Sequence, residues 1–87
     1  MARRSHLVRM RLASVLSQAE RWMTCEEIKN RFLDEGWSFT SSNQISRLCV
    51  NTIGFTSRMD EQGVHYYKIQ NLDAFHHWMK QKPIYGN

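Results

Sequence analysis

Apolar residues recur at helical spacing along the first twenty positions. Val8, Leu12, Val15, Leu16 and Ala19 form one stripe, which predicts a helix over residues 5–19 with Ser5 as its cap. Leu7 and Met10 lie off the stripe, available to another element, a second copy of the chain or water. Residues 1–4 precede this helix as a basic arm carrying Arg3 and Arg4. Arg21–Met23 is long enough for a one- or two-pair strand. Thr24 and Glu27 then make a T-x-x-E capping box ahead of a second helix over residues 24–35, with Cys25, Ile28 and Phe32 on one face and Gly36 as a left-handed stop.

A short connector, WSFT, leads to a third helix over residues 41–53. Its capping box is Ser41 with Gln44, or Thr40 with Asn43. Ile45, Leu48, Cys49 and Thr52 share a narrow arc, while Asn43, Arg47, Val50 and Asn51 occupy the opposite side. The outer face is thus polar and carries Arg47 but no acid. Gly54 ends the helix.

FTSRMDEQGVHYYKI reads as a hairpin over residues 55–69. A three-residue loop, Glu61-Gln62-Gly63 with Gly63 left-handed, sets Asp60 opposite Val64 and Met59 opposite His65. This register gathers Phe55, Met59, Tyr67 and Ile69 on one side and Thr56, Arg58, Tyr66 and Lys68 on the other. A two-residue loop would split the apolar set. Asn71 caps a last helix over residues 71–82, with Leu72, Phe75 and Met79 buried, Lys80 and Lys82 near its end and Pro83 stopping it.

The 87 residues fit one domain of α+β class, mostly helical. Hydrophobic content of 41% is that of a globular chain. The apolar runs fall short of the roughly 18 residues a membrane span requires, so no membrane partner is expected. The basic start lacks a continuous apolar stretch and a small-residue cleavage site, against a secretory signal, so a cytoplasmic location is the expectation, with a mitochondrial presequence as the alternative because the segment is Arg-rich and acid-poor. Cys25 and Cys49 have no C-x-x-C spacing and read as buried free thiols. His76 and His77 are adjacent, so on a helix they diverge and cannot act as an i, i+4 metal pair; His76 borders the buried stripe. Trp22, Trp37 and Trp78 read as core or core-edge residues, and Tyr66 and Tyr67 as strand formers. No nucleophile elbow, zinc-protease motif or phosphate-cradling glycine loop occurs, and capping accounts for Glu26-Glu27. The expectation is therefore a non-enzyme without metal or cofactor.

The formal charge of +4 changes the picture because of where it sits. Arg3, Arg4, Arg9 and Arg11 crowd the start, while acids gather at Glu26, Glu27, Asp34, Glu35, Asp60 and Glu61. An anionic partner, most simply nucleic acid, follows as an expectation.

The order helix, short strand, helix, helix, hairpin, helix resembles a winged-helix (winged helix-turn-helix) domain from about Ser5 to Ile69. The stretches TCEEIKNRFLDEG, TSSNQISRLCVNTIGF and DEQG carry the resemblance. RWMTCEEIKNRF is also similar to small enterobacterial activators of the CaiF/GrlA type. The resemblance implies a DNA-binding transcriptional regulator whose third helix enters the major groove of double-stranded DNA while the wing follows the backbone or minor groove. Asn43 and Gln44 offer the donor and acceptor that adenine pairs with, and Arg47 the fork that guanine accepts. Asn51 shares their face, and Val50 suits a thymine methyl. Ser41, Ser42 and Ser46 suit phosphates. Arg58 and Lys68 suit phosphates or guard the hairpin edge, and Arg3 and Arg4 suit a backbone or a narrow minor groove. A homodimer on a two-fold site is expected. The alternative is a winged-helix protein–protein interaction module acting on a polymerase or another regulator, motivated by the acids at Asp34, Glu35, Asp60 and Glu61. RNA binding by the same scaffold would call for exposed stacking aromatics.

Overall fold

Side-chain caps start three of the helices. The computed structural model describes residues 2–37 and 41–81, with side chains from His6 onward. The elements are α1 (Ala2–Ala19), β1 (Met23–Thr24), α2 (Cys25–Asp34), α3 (Ser42–Asn51), β2 (Phe55–Met59), β3 (His65–Ile69) and α4 (Leu72–Gln81). Ahead of α2, the Thr24 hydroxyl accepts the Glu27 amide at 3.2 Å, and the Glu27 carboxylate accepts the Thr24 amide at 2.9 Å. The Ser41 hydroxyl accepts the Gln44 amide at 3.2 Å, and the Asn71 side chain accepts the Ala74 amide at 2.9 Å. Caps of this kind contribute about 1 kcal/mol each. Thr40 lies outside the described residues, as do Lys82 and Pro83.

Helix boundaries depart from expectation where no side chain marks them. Helix α1 begins at Ala2 rather than Ser5, because Ala and Arg are strong helix formers and nothing from Ala2 to Ala19 breaks the run. Arg3 and Arg4 therefore lie in the first turns of a helix, not on an arm, and their side chains fall outside the described part. The same helix stops at Glu20, a non-glycine residue at φ +55°. Helix α2 ends as expected, with Gly36 at φ +78° and the Trp37 amide turned back to the Phe32 carbonyl at 3.0 Å. Helix α3 is shorter than expected, with extended Thr52 as its carboxyl cap.

The strands form one antiparallel sheet in the order β1-β3-β2. The hairpin register is the expected one, from Phe55 opposite Ile69 to Met59 opposite His65. Gly63 takes φ +86°, and the Asp60 amide reaches the Val64 carbonyl at 3.0 Å. The short strand sits slightly later than Arg21–Met23, pairing Met23 with Tyr67 and Thr24 with Tyr66. Thr24 is therefore both the last strand residue and the α2 cap.

The core is built from Val8, Leu12, Ala13, Val15 and Leu16 of α1, Ile28 and Phe32 of α2, and Ile45, Leu48 and Cys49 of α3. Met23, Phe55 and Tyr67 supply the sheet's contribution, and Phe75 and Met79 that of α4. Leu72 and Met59, expected on buried faces, are largely exposed: one opens its helix and the other stands at the hairpin tip, both past the edge of the core. His76, at the border of the buried stripe, is exposed beside the Phe75 ring. No described helix is long and apolar enough to cross a membrane.

Gly54 joins α3, β2 and α4. Its carbonyl accepts the Gln70 and Asn71 amides at 2.7 and 3.1 Å. Beyond it, Phe75 stacks on Phe55 with centroids 5.2 Å apart. A Cβ on Gly54 would lie 2.7 Å from the Asn71 carbonyl oxygen and 2.7 Å from the Phe75 Cβ, at a φ of +100°. Gly36 has a positive φ but open space around it. Gly54→Ala should therefore cost about 3 kcal/mol, joining left-handed strain to overpacking, and Gly36→Ala about 1 kcal/mol. Urea unfolding of the two variants checks the order, and equal costs would show that α4 does not dock on the Gly54 turn.

Candidate nucleic-acid interface

The rotation of α3 about its axis is set from within. Ile45, Leu48, Cys49 and Thr52 are buried as their spacing predicts, and Asn43, Arg47, Val50 and Asn51 are exposed. Ser41 and Ser42 are exposed at the helix start, and Gln44 is half-buried. Ser46 departs from its expected outward role. It borders the buried arc, is half-buried, and its hydroxyl shares a 2.8 Å hydrogen bond with the Tyr67 hydroxyl of β3. Burial is the main reason the Tyr67 phenol is pushed above its ordinary pKa, and the Ser46 bond opposes that shift.

The far end of α3 meets α1 through Arg9, a residue the sequence marks as part of the basic start but not as part of this surface. The Arg9 Nε donates to the Thr52 hydroxyl at 3.0 Å, and its guanidinium lies 5.4 Å from the Trp78 ring centre. The Arg9 pKa is held below its ordinary value, first by burial and then by the positive charge of Arg47. Two guanidinium groups thus lie within electrostatic reach of each other. Among the described residues neither joins a salt bridge. The side chains of Asn43, Arg47 and Asn51 are exposed, with no hydrogen-bond partner among the described residues.

The hairpin cations sit elsewhere. Strand neighbours alternate between faces, and Tyr67 points toward α3, so Tyr66 and Lys68 point away from it. Arg58, opposite Tyr66 in the register, does the same. On that far face Arg58 and Lys68 lie 5.2 and 5.8 Å from the Trp22 ring centre, and Arg58 lies 5.4 Å from the Tyr66 ring centre. The structure therefore does not bring Arg58 and Lys68 together with Asn43 and Arg47. The exposed hairpin residues on the α3 side are Ser57, Met59 and His65.

A cleft of about 350 Å³ separates the hairpin from the starts of α2 and α3. Thr24, Cys25 and Glu26 form one wall, Ser42, Asn43 and Ser46 the next, and Val64, His65 and Tyr67 the hairpin wall. The His65 and Tyr67 rings are nearly parallel, with centroids 6.5 Å apart. The Cys25 thiol donates to the Ser42 carbonyl at 3.4 Å. Cys49 lies deeper, its pKa pushed up to about 12, chiefly by burial and then by Cys25, which keeps it a thiol rather than a thiolate. Among the described residues no group of three or more His, Cys, Asp or Glu could hold a metal ion.

Comparison of the chain with protein-family models, with curated proteins and with solved structures gives no match.

The hairpin tip carries acids, one of which is committed to the loop. The Asp60 carboxylate accepts the Gln62 and Val64 amides at 2.9 and 3.0 Å and the Tyr66 hydroxyl at 3.2 Å. Its pKa is held down chiefly by the backbone hydrogen bond from Val64, with further help from Gln62 and Tyr66. A depressed carboxylate pKa stabilises the folded loop above the unfolded value of about 3.9 and loses that contribution as pH falls through the folded value. In a two-dimensional NMR titration the Gln62 and Val64 amide shifts should therefore move with a midpoint below about 3.9. Asp60→Asn should abolish that step, and a midpoint at or above the unstructured value would show that the carboxylate does not hold the loop.

Proposed function

We propose that the protein is a winged-helix DNA-binding transcriptional regulator that reads the major groove of double-stranded DNA with α3. The observation that carries this reading is the outward face of α3. Asn43, Arg47 and Asn51 are exposed there with hydrogen-bonding capacity unspent on the protein, opposite a fully buried Ile45-Leu48-Cys49-Thr52 face. A helix that only had to remain solvated would gain from Glu and Lys in i, i+4 pairs. This one carries no acid, and the nearby Arg9 adds positive charge without neutralising carboxylates.

Supporting the same reading, the order α1-β1-α2-α3-β2-β3-α4 is the element order on which the resemblance to a winged-helix domain rests. Ser41, Ser42, Asn43 and Gln44 crowd the first turn, where side chains and amides meet backbone phosphates and base edges. Arg47 takes the guanine-reading role and Asn43 the adenine-reading role. Arg58 and Lys68, held over Trp22, contribute to the general positive field rather than to the reading surface. One recognition helix spans few base pairs, so two copies on a two-fold site complete the proposal, with exposed Leu7 and Met10 of α1 as surface for the second copy.

Duplexes selected from a random pool, titrated at several salt concentrations, test the reading. Affinity should fall with a slope of about −0.9 in log–log form per phosphate contacted. Arg47→Ala should relax preference at one base position by roughly 1–3 kcal/mol while leaving the fold intact. Salt-insensitive binding, or an Arg47→Ala variant with unchanged affinity and selectivity, would remove α3 from the groove. Retention of a protein partner in place of DNA would instead favour the interaction-module reading.

A further inference from the structure

The cleft between α3 and the hairpin raises a question that the cations of the hairpin do not answer. If α3 meets DNA, some part of the hairpin must face the adjoining strand, and the register determines which. His65 is exposed on the α3 side and lies across the cleft from Ser42 and Asn43. Arg58 and Lys68, the obvious phosphate ligands by residue type, lie over Trp22 on the opposite face.

We infer that this cleft seats one backbone phosphate of the bound duplex, held between His65 of β3 and Ser42 and Asn43 of α3. The inference rests on the DNA-binding reading above and adds to it the hairpin residue in contact and the position of the strand. The imidazole ring donates an N–H to a phosphate oxygen, and from the other wall Ser42 supplies its hydroxyl and Asn43 its first-turn backbone amide, which leaves the Asn43 side chain for the groove. His65 stacks near Tyr67, whose ring is buried and whose hydroxyl is tied to Ser46, so the ring rests against a rigid support. Glu26 lines the same cleft from the first turn of α2. Its carboxylate repels an incoming phosphate, and it is exposed rather than paired with a described cation. The two rims therefore act with opposite sign on an anion: His65 attracts it and Glu26 weakens its hold.

That opposition supplies the test. The 87-residue chain is titrated with its selected duplex at low salt, together with His65→Ala, His65→Gln, Glu26→Gln, Arg58→Ala and Lys68→Ala. Thermal unfolding verifies that each variant is folded. His65→Ala should weaken binding about two- to tenfold, the loss of one net hydrogen bond. Glu26→Gln should tighten it about two- to threefold, the size of one charge–charge repulsion at several ångströms in a high-dielectric setting, and the gain should shrink as salt rises. His65→Gln, which keeps a donor, should recover part of the loss, and Arg58→Ala and Lys68→Ala should each change affinity by less than His65→Ala. Phosphate-ethylation interference should show one position that blocks the wild type and no longer discriminates in His65→Ala.

Unchanged binding in His65→Ala, weaker or unchanged binding in Glu26→Gln, or losses in Arg58→Ala or Lys68→Ala exceeding that of His65→Ala would each overturn the cleft assignment. Arg47→Ala separates the two levels of the argument. If its base preference is lost while the His65 and Glu26 variants behave as wild type, the cleft inference fails and the α3 reading stands. If the wild type shows no salt-sensitive duplex binding, both fall.

Discussion

One buried hydroxyl fixes the relation between the helices and the sheet. Tyr67 lies in the central strand and is 2% exposed, so its phenol must find a partner inside the protein. Ser46 provides it at 2.8 Å. A buried hydroxyl without such a bond costs about 1–3 kcal/mol, a large share of the stability of a domain this small. The bond ties α3 at one point of its circumference to one residue of β3. With Ile45, Leu48 and Cys49 interred beside it, the helix presents Asn43, Arg47 and Asn51 to solvent. The same residue governs the hairpin through strand alternation. Because Tyr67 faces α3, Tyr66 and Lys68 face away, and His65 returns to the α3 side.

Charge follows from this geometry more than from composition. Several cations are held by partners within the fold. Arg21 pairs with Glu27, and Arg31 meets Gln18 and Glu35. Arg11 lies 5.0 Å from the Trp37 ring centre, and Arg58 and Lys68 share Trp22. Arg9 is shared between Thr52 and Trp78. Arg47 is exposed with no salt bridge or ring partner among the described residues. A formal charge of +4 is thus a poor guide to where an anion would bind, since guanidinium groups resting on rings have already lost part of their freedom to reorient. On the acidic side, Glu27 closes the α2 cap and Asp60 closes the hairpin loop, so neither is a free acid available to a basic partner.

Much of this was legible in the sequence where the governing interactions are local. Thr24 with Glu27, Ser41 with Gln44 and Asn71 with Ala74 are pairs three residues apart, and each cap forms where residue type places it. The hairpin register was legible because Gly63 and the apolar alternation allow one pairing to keep Phe55, Tyr67 and Ile69 together. Features that depend on distant contacts were not. Glu20 ends α1 at a positive φ that no local signal announces. The outward orientation of Arg58 and Lys68 was readable from alternation, but whether outward meant toward or away from α3 required knowing which sheet face the helices cover. Ser46 sits at the border of the buried arc, where the helical wheel cannot say whether its hydroxyl meets solvent or a strand. Arg9 joined the α3 surface through Thr52, 43 positions away in sequence.

The position of α4 bears on whether the α3 face is available at all. An added helix could lie across a polar face and satisfy it internally, in which case its composition would say nothing about a ligand. Here α4 docks through Phe75 on Phe55 and through the Gly54 turn, and its Trp78 reaches Arg9 at the α1–α3 junction. Asn43, Arg47 and Asn51 remain exposed. The fold thus gives α3 two unlike ends. Its carboxyl end stands beside Arg9, whose guanidinium lies within electrostatic reach of Arg47. Its amino end opens on the cleft that His65 and Glu26 both line. In the proposed function, base reading by Arg47 and phosphate contact at the cleft would then belong to different parts of one ten-residue helix. The Tyr67–Ser46 bond, between those ends, would hold the helix at one angle while both act.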